Sequence, residues 1–161
     1  MSMISRNVSK LAASGVGALL LATAMVKPLE GIEYKPYRDV AGVLTVCYGM
    51  TGPDVIEGKT YTQSECDVLL DRQLKAIAAE VDPLITSKTT ESQKAAIYSF
   101  TYNVGVGAFK NSTLLRKLNQ GDVISACDEL KRWVYAAGKV WKGLVSRRAI
   151  EREICLAEQY Q

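Results

Sequence analysis

Sixteen consecutive residues without a charge, Leu11 to Val26, lie between Lys10 and Lys27. Such a stretch folds as a helix in one of two solvents, lipid or a protein core. As one helix it would span about 24 Å, against a hydrocarbon core of roughly 30 Å, and snorkelling of Lys10 and Lys27 would cover the difference. Five alanines, two glycines, a serine and a threonine make it only weakly apolar. Arg6 and Lys10 precede it, and Ala22-x-Ala24 has the form of a signal-peptidase site. Three readings stand on these residues alone: an uncleaved membrane segment, a cleaved signal, or a buried core helix. Cleavage at Ala24 would leave Glu30 a few residues from a frayed new terminus.

The remainder is long enough for one domain with a real core, since 48% of the 161 residues are hydrophobic. The net charge of +3 gathers late, at Lys131, Arg132, Lys139, Lys142, Arg147, Arg148 and Arg152. That cluster reads either as a solvated helix face or as a surface for an anionic polymer. Histidine is absent, which removes Ser-His-Asp and Cys-His nucleophile systems and His-ligated metal sites. Cys47, Cys66, Cys127 and Cys155 have no CxxC spacing, so no zinc site is expected. Their even number behind an export-like terminus favours two disulfides, with four buried thiols as the alternative.

Local patterns predict a mostly helical α+β domain. β-branched residues and glycines between Arg38 and Tyr48 predict a short hairpin. Thr62 with Glu65 and Thr90 with Gln93 are capping boxes. The first opens a helix to about Ala79 with Val68, Leu69, Leu74 and Ile77 inward, and the second a helix that ends at Gly105 and Gly107. Ser112 caps a short helix. Asp122 caps another, with Ile124, Cys127, Leu130 and Trp133 at helical spacing, and a last one runs from about Leu144 to Glu158.

Glu30 follows the uncharged run, Asp39 falls after a Pro36-containing turn, and Thr45 lies in the hairpin. A carboxylic acid held at a partly desolvated helix end is suited to proton donation. A second carboxylate with a nearby hydroxyl is suited to directing water in glycosidic hydrolysis. On spacing alone, Glu33 serves as well as Glu30.

The string E-G-x-E-x-x-P-Y-x-D-x-x-G-x-x-T-x-x-x-G from Glu30 to Gly49 resembles the phage-type lysozymes, muramidases that cut peptidoglycan between N-acetylmuramic acid and N-acetylglucosamine. Tyr98 to Phe109, Asn111 to Asn119, Arg132-Trp133 and Gly143-Leu-Val-Ser-Arg-Arg-x-x-Glu151 resemble further signatures in family order, so the likeness covers about Leu29 to Leu156. It implies a lysozyme-like fold with a small sheet lobe and a helical lobe. By it Glu30 is the general acid, Asp39 the second carboxylate and Thr45 the water-positioning hydroxyl, in an inverting hydrolysis.

The whole chain also resembles members of that family with an uncleaved signal-arrest-release segment, which are exported while tethered to the inner membrane, leave it on depolarisation and then refold. The likeness implies residues 1–27 as that segment and 28–161 as the catalytic domain. It implies glycan strands of peptidoglycan as substrate and the bilayer as partner of residues 11–26. A holin or pinholin would act functionally, without direct contact, and the chain would be a monomer needing no cofactor, metal or nucleic acid. Neighbouring positions in such a fold lead us to expect Cys47–Cys66 and Cys127–Cys155 disulfides. Two departures stand out. Met50 replaces a histidine frequent in the family, and the run Leu11 to Val26 contains no cysteine, so control by thiol exchange in the anchor is not expected. A lytic transglycosylase, or a non-enzymatic wall-binding domain, is the competing class.

Overall fold

The computed structural model describes residues 1–159. The uncharged run is not one helix. Helix α1 (Met3–Ala13) starts at Ser2, whose side chain accepts from the Ser5 N–H at 3.0 Å, and ends at Ser14. Gly15 then takes a left-handed φ of +78°, and helix α2 (Ala18–Glu30) begins after Gly17. Only glycine enters that backbone region without steric cost, so the residue that weakens the run as an anchor also breaks it. With no side chain at the α2 N-cap, Glu91 serves instead: its Oε2 accepts from the Ala18 N–H at 2.7 Å.

Leu21, Ala22, Met25 and Val26 of α2 are completely buried. They lie at i, i+1, i+4 and i+5, one face of a helix, and the helix packs against α1, α3 (Gln63–Val81) and α4 (Glu91–Val104). No helix among the described residues is long and apolar enough to cross a membrane. Helix α2 also runs through the 27/28 boundary.

After Gly31 come β1 (Glu33–Arg38), β2 (Leu44–Cys47) and β3 (Met50–Thr51), an antiparallel sheet in the order β1-β2-β3. Sequence reasoning began this unit at Arg38 because Pro36 reads as a turn. Instead Pro36 sits within edge strand β1, where the register shifts between Glu33 and Tyr37, a position that tolerates a missing N–H. Both capping boxes form, starting α3 at Thr62 and α4 at Thr90. Helices α5 (Val106–Lys110), α6 (Thr113–Asn119), α7 (Val123–Glu129) and α8 (Lys142–Leu156) complete the helical lobe around the nearly buried α4. A two-residue hairpin that sequence reasoning did not foresee, β4 (Tyr135–Ala136) with β5 (Lys139–Val140), precedes α8 and turns through Ala137 and Gly138, both at positive φ.

Two expected core residues face outward: Val68 is 55% and Ile124 47% exposed, and Leu70 is buried in the α3 face instead. Disulfides join Cys47 to Cys66, tying β2 to α3, and Cys127 to Cys155, tying α7 to α8. The late basic cluster is neither a solvated face nor a uniform basic surface. Arg147 and Arg148 are 5% and 1% exposed, whereas Arg132, Lys139 and Lys142 are exposed.

Candidate active site

Glu30 is the last residue of α2, stopped there by Gly31 at φ +70°. Its side chain is 21% exposed and its Oε1 accepts from Arg147 Nη1 at 2.5 Å. Oε2 has no hydrogen-bond partner among the described residues and faces Gly49, where an added Cβ would lie 3.4 Å away. Gly49 is at φ +78°, so the chain passes close to the carboxyl in a conformation that favours glycine on both counts.

Arg147 belongs to a buried network behind Glu30. Its Nε donates to Glu151 Oε1 at 3.1 Å and its Nη2 to the Ser99 carbonyl at 3.1 Å. Ser99 Oγ donates to the same Glu151 oxygen at 2.8 Å, and Arg148 Nη1 to Glu151 Oε2 at 2.5 Å. Arg148 is fixed in turn by the Trp133 carbonyl, by Asn103 Oδ1 and by the face of Phe100. Sequence reasoning missed this set. The local signal was present, because Arg147 and Arg148 stand four and three residues before Glu151 on one helix face.

Asp39 and Thr45 are organised by one residue, Val43. Asp39 Oδ1 accepts from the N–H groups of Ala41 and Val43, both at 2.9 Å, while Asp39 N donates to the Val43 carbonyl at 3.0 Å. Thr45 Oγ1 donates to that same carbonyl at 3.0 Å and accepts no hydrogen bond among the described residues, and the residue is buried. The hairpin therefore sets both side chains with its own backbone, a local lock typical of Asp in turns. No hydrogen bond among the described residues joins Glu30 to either, and Glu33 is exposed on β1.

The corner at Met50 is filled. Tyr102 of α4 donates its hydroxyl to the Tyr48 carbonyl at 2.6 Å, with Met50 Sδ 3.1 Å from the same oxygen. Burial, then the charge of Glu30, pushes the Tyr102 phenol above its usual range, with Arg147 opposing, so it stays a neutral donor. No cluster of three metal-ligating side chains occurs among the described residues.

A small antiparallel sheet joined to a helical lobe places the fold in the lysozyme class of carbohydrate-cleaving enzymes. The chain belongs to the phage lysozyme family, whose pattern matches residues 27–151, and it is a glycoside hydrolase acting as a peptidoglycan muramidase. It is 52% identical to the SAR-endolysin of Bacteriophage PS119 over 97% of this chain and 96% of that one. It is also 52% identical to the SAR-endolysin of Enterobacteria phage P21, over 90% and 92%. Among solved structures, the muramidase domain of SpmX from Asticcacaulis excentricus superposes with a TM-score of 0.78 at 30% identity, over 84% of this chain and 94% of that one. The active form of the P1 phage endolysin Lyz shares the fold, with a TM-score of 0.78 at 19% identity over 99% and 96%.

Proposed function

We propose that Glu30 donates the proton to the glycosidic oxygen between N-acetylmuramic acid and N-acetylglucosamine, that Asp39 takes a proton from the attacking water, and that Thr45 holds this water. The carboxyl of Glu30 carries the reading: one oxygen is fixed by Arg147 and the other is left without a protein partner beside Gly49. A proton donor needs that division, an anchored oxygen for aim and a free one for transfer. Asp39 has a comparable division, since both backbone bonds fall on Oδ1 and leave Oδ2 for water. Thr45, its proton engaged by Val43, accepts a hydrogen from that water. Water attacking opposite the leaving group gives inversion. A lytic transglycosylase has no use for this prepared aspartate and threonine.

The chain further acts as a releasable endolysin in this reading. Residues 11–26 lie in the inner membrane, the catalytic domain hangs on the periplasmic side, and a holin or pinholin collapses the potential without touching it. In the bilayer, α2 cannot pack on α4 and Glu30 is held near the headgroups; on release the run folds as α1 and α2, and the monomer is active in the periplasm. The division at 27/28 is then one of membrane topology. Support comes from the SAR-endolysin relatives, whose likeness spans nearly the whole chain. The fold shared with the active form of the P1 phage endolysin likewise takes in the N-terminal run.

Turbidity of chloroform-treated Gram-negative cells tests the chemistry. Glu30→Gln lowers lysis at least ~100-fold, because the amide cannot supply the proton, while Glu33→Gln stays near wild type. The reverse outcome would overturn the assignment of the acid. Anhydro-sugar ends in the products would replace hydrolysis by transglycosylation.

A further inference from the structure

We infer that Glu151 is a positioning residue: buried behind Glu30, it sets through the shared Arg147 guanidinium both the aim of the acid and the charge the acid faces. The inference rests on Glu30 as the proton donor. Glu151 is completely buried and does not meet substrate. Its two oxygens accept from Arg147 Nε, Ser99 Oγ and Arg148 Nη1. Arg147 turns a different nitrogen to each partner: Nε to Glu151, Nη1 to Glu30, Nη2 to the Ser99 carbonyl. A guanidinium is planar and rigid, so fixing two of its edges fixes the third. Glu30 Oε1 is thus aimed from α8 and α4.

Charge matters as much as aim. Glu30 and Glu151 share Arg147, and Arg148 joins the set through Glu151, so the four groups sum to zero charge when all are ionised. Other elements add little to it. Tyr102 on α4 is a neutral phenol bonded to Tyr48, Gly49 in the hairpin segment brings no charge, and Lys27 on α2 itself is engaged with Asp67. Removing the Glu151 charge leaves Arg147 on Glu30 and Arg148 behind it with no second carboxylate to offset them. The excess positive charge favours ionised Glu30, the form that cannot donate a proton.

The test is the pH profile of kcat/KM for the full chain released from the membrane, with peptidoglycan as substrate. Glu151→Gln moves the alkaline limb to lower pH by about one unit and lowers the neutral rate roughly tenfold, and the acid limb stays. Glu151→Asp restores the limb even where turnover remains reduced. A Glu151→Gln enzyme whose rate falls equally at every pH has lost structure only, which overturns the inference. If Glu151→Gln does not fold by circular dichroism, Ser99→Ala decides. It removes one neutral bond from the same Glu151 oxygen, so kcat falls about 3-fold with KM unchanged, whereas unchanged kcat overturns the inference. Glu30→Gln is run alongside: if it retains activity the acid assignment itself fails, and if it is inactive while the Glu151→Gln limb stays put, only the coupling fails.

Discussion

Lys27 closes the uncharged run, and its ammonium lies 2.9 Å from Asp67 on α3 and 5.8 Å from the centre of the Tyr48 ring. In the proposed tethered chain the same ammonium would sit at the headgroups, and release would exchange that partner for Asp67. The bond to Lys27 holds the Asp67 carboxyl below its usual 3.8, and the bond to Asp67 holds Lys27 above its usual 10.5. The pair's stabilisation is complete between those two values. It is lost as pH falls through the lowered Asp67 value or rises through the raised Lys27 value. Asp67→Asn therefore lowers Tm at pH 7 by about 2 °C, kept small by solvent screening of two side chains more than a third exposed. The difference from wild type closes in strong acid, and melting curves across pH check it. At this scale the string from Glu30 to Gly49 was legible as a family pattern, although its spacing alone did not separate Glu30 from Glu33. Arg147 was not, because it stands 117 residues from Glu30 and only packing joins them.

The α1–α2 break is the element that distinguishes the folded N-terminal run from its proposed membrane-spanning form. Within a bilayer, Ser14 to Gly17 must continue a helix to satisfy its backbone; in the folded enzyme, the same residues turn at Gly15 and hand the α2 N-terminus to Glu91. Changing Ser14, Gly15 and Gly17 to leucine adds several kcal/mol of membrane affinity, about 25 cal/mol per Å² of added apolar surface. It also forces a leucine into the left-handed backbone at 15. The protein is then exported but stays with the membrane fraction, and lysis after depolarisation is delayed or lost; prompt lysis with the protein in the soluble fraction would contradict this. The capping boxes at Thr62 and Thr90 were readable because each is satisfied within four residues. The break was not, because sixteen uncharged residues look continuous until Glu91, seventy-three residues away from Ala18, supplies the cap.

Across the whole molecule, the first thirty residues supply part of the core. Deleting Met1 to Val26 removes Val8, Leu21, Ala22, Met25 and Val26, each at most 1% exposed. Each large apolar side chain in that set contributes roughly 1.5–3 kcal/mol when buried. The two disulfides, together with α3, α4 and α8, leave a stapled remainder, so the truncated protein is compact but poorly active, with Glu30 on an unsupported helix stub. Purified truncated protein with full muramidase activity would reduce the segment to an address label. The mostly helical α+β plan was legible from periodicity and caps. The pairing of β1 through Pro36 and the outward turn of Val68 were not, because both depend on what lies across the interface.

The complete burial of one face of α2 also gives release a direction. A segment that merely slid out of the bilayer could slide back when the potential returned. Here a return journey must first extract Leu21, Ala22, Met25 and Val26 from between α3 and α4, undo the Glu91 cap and straighten Gly15. In the proposed release, each molecule that left the membrane would thereby be committed, and restoring the potential would not draw it back.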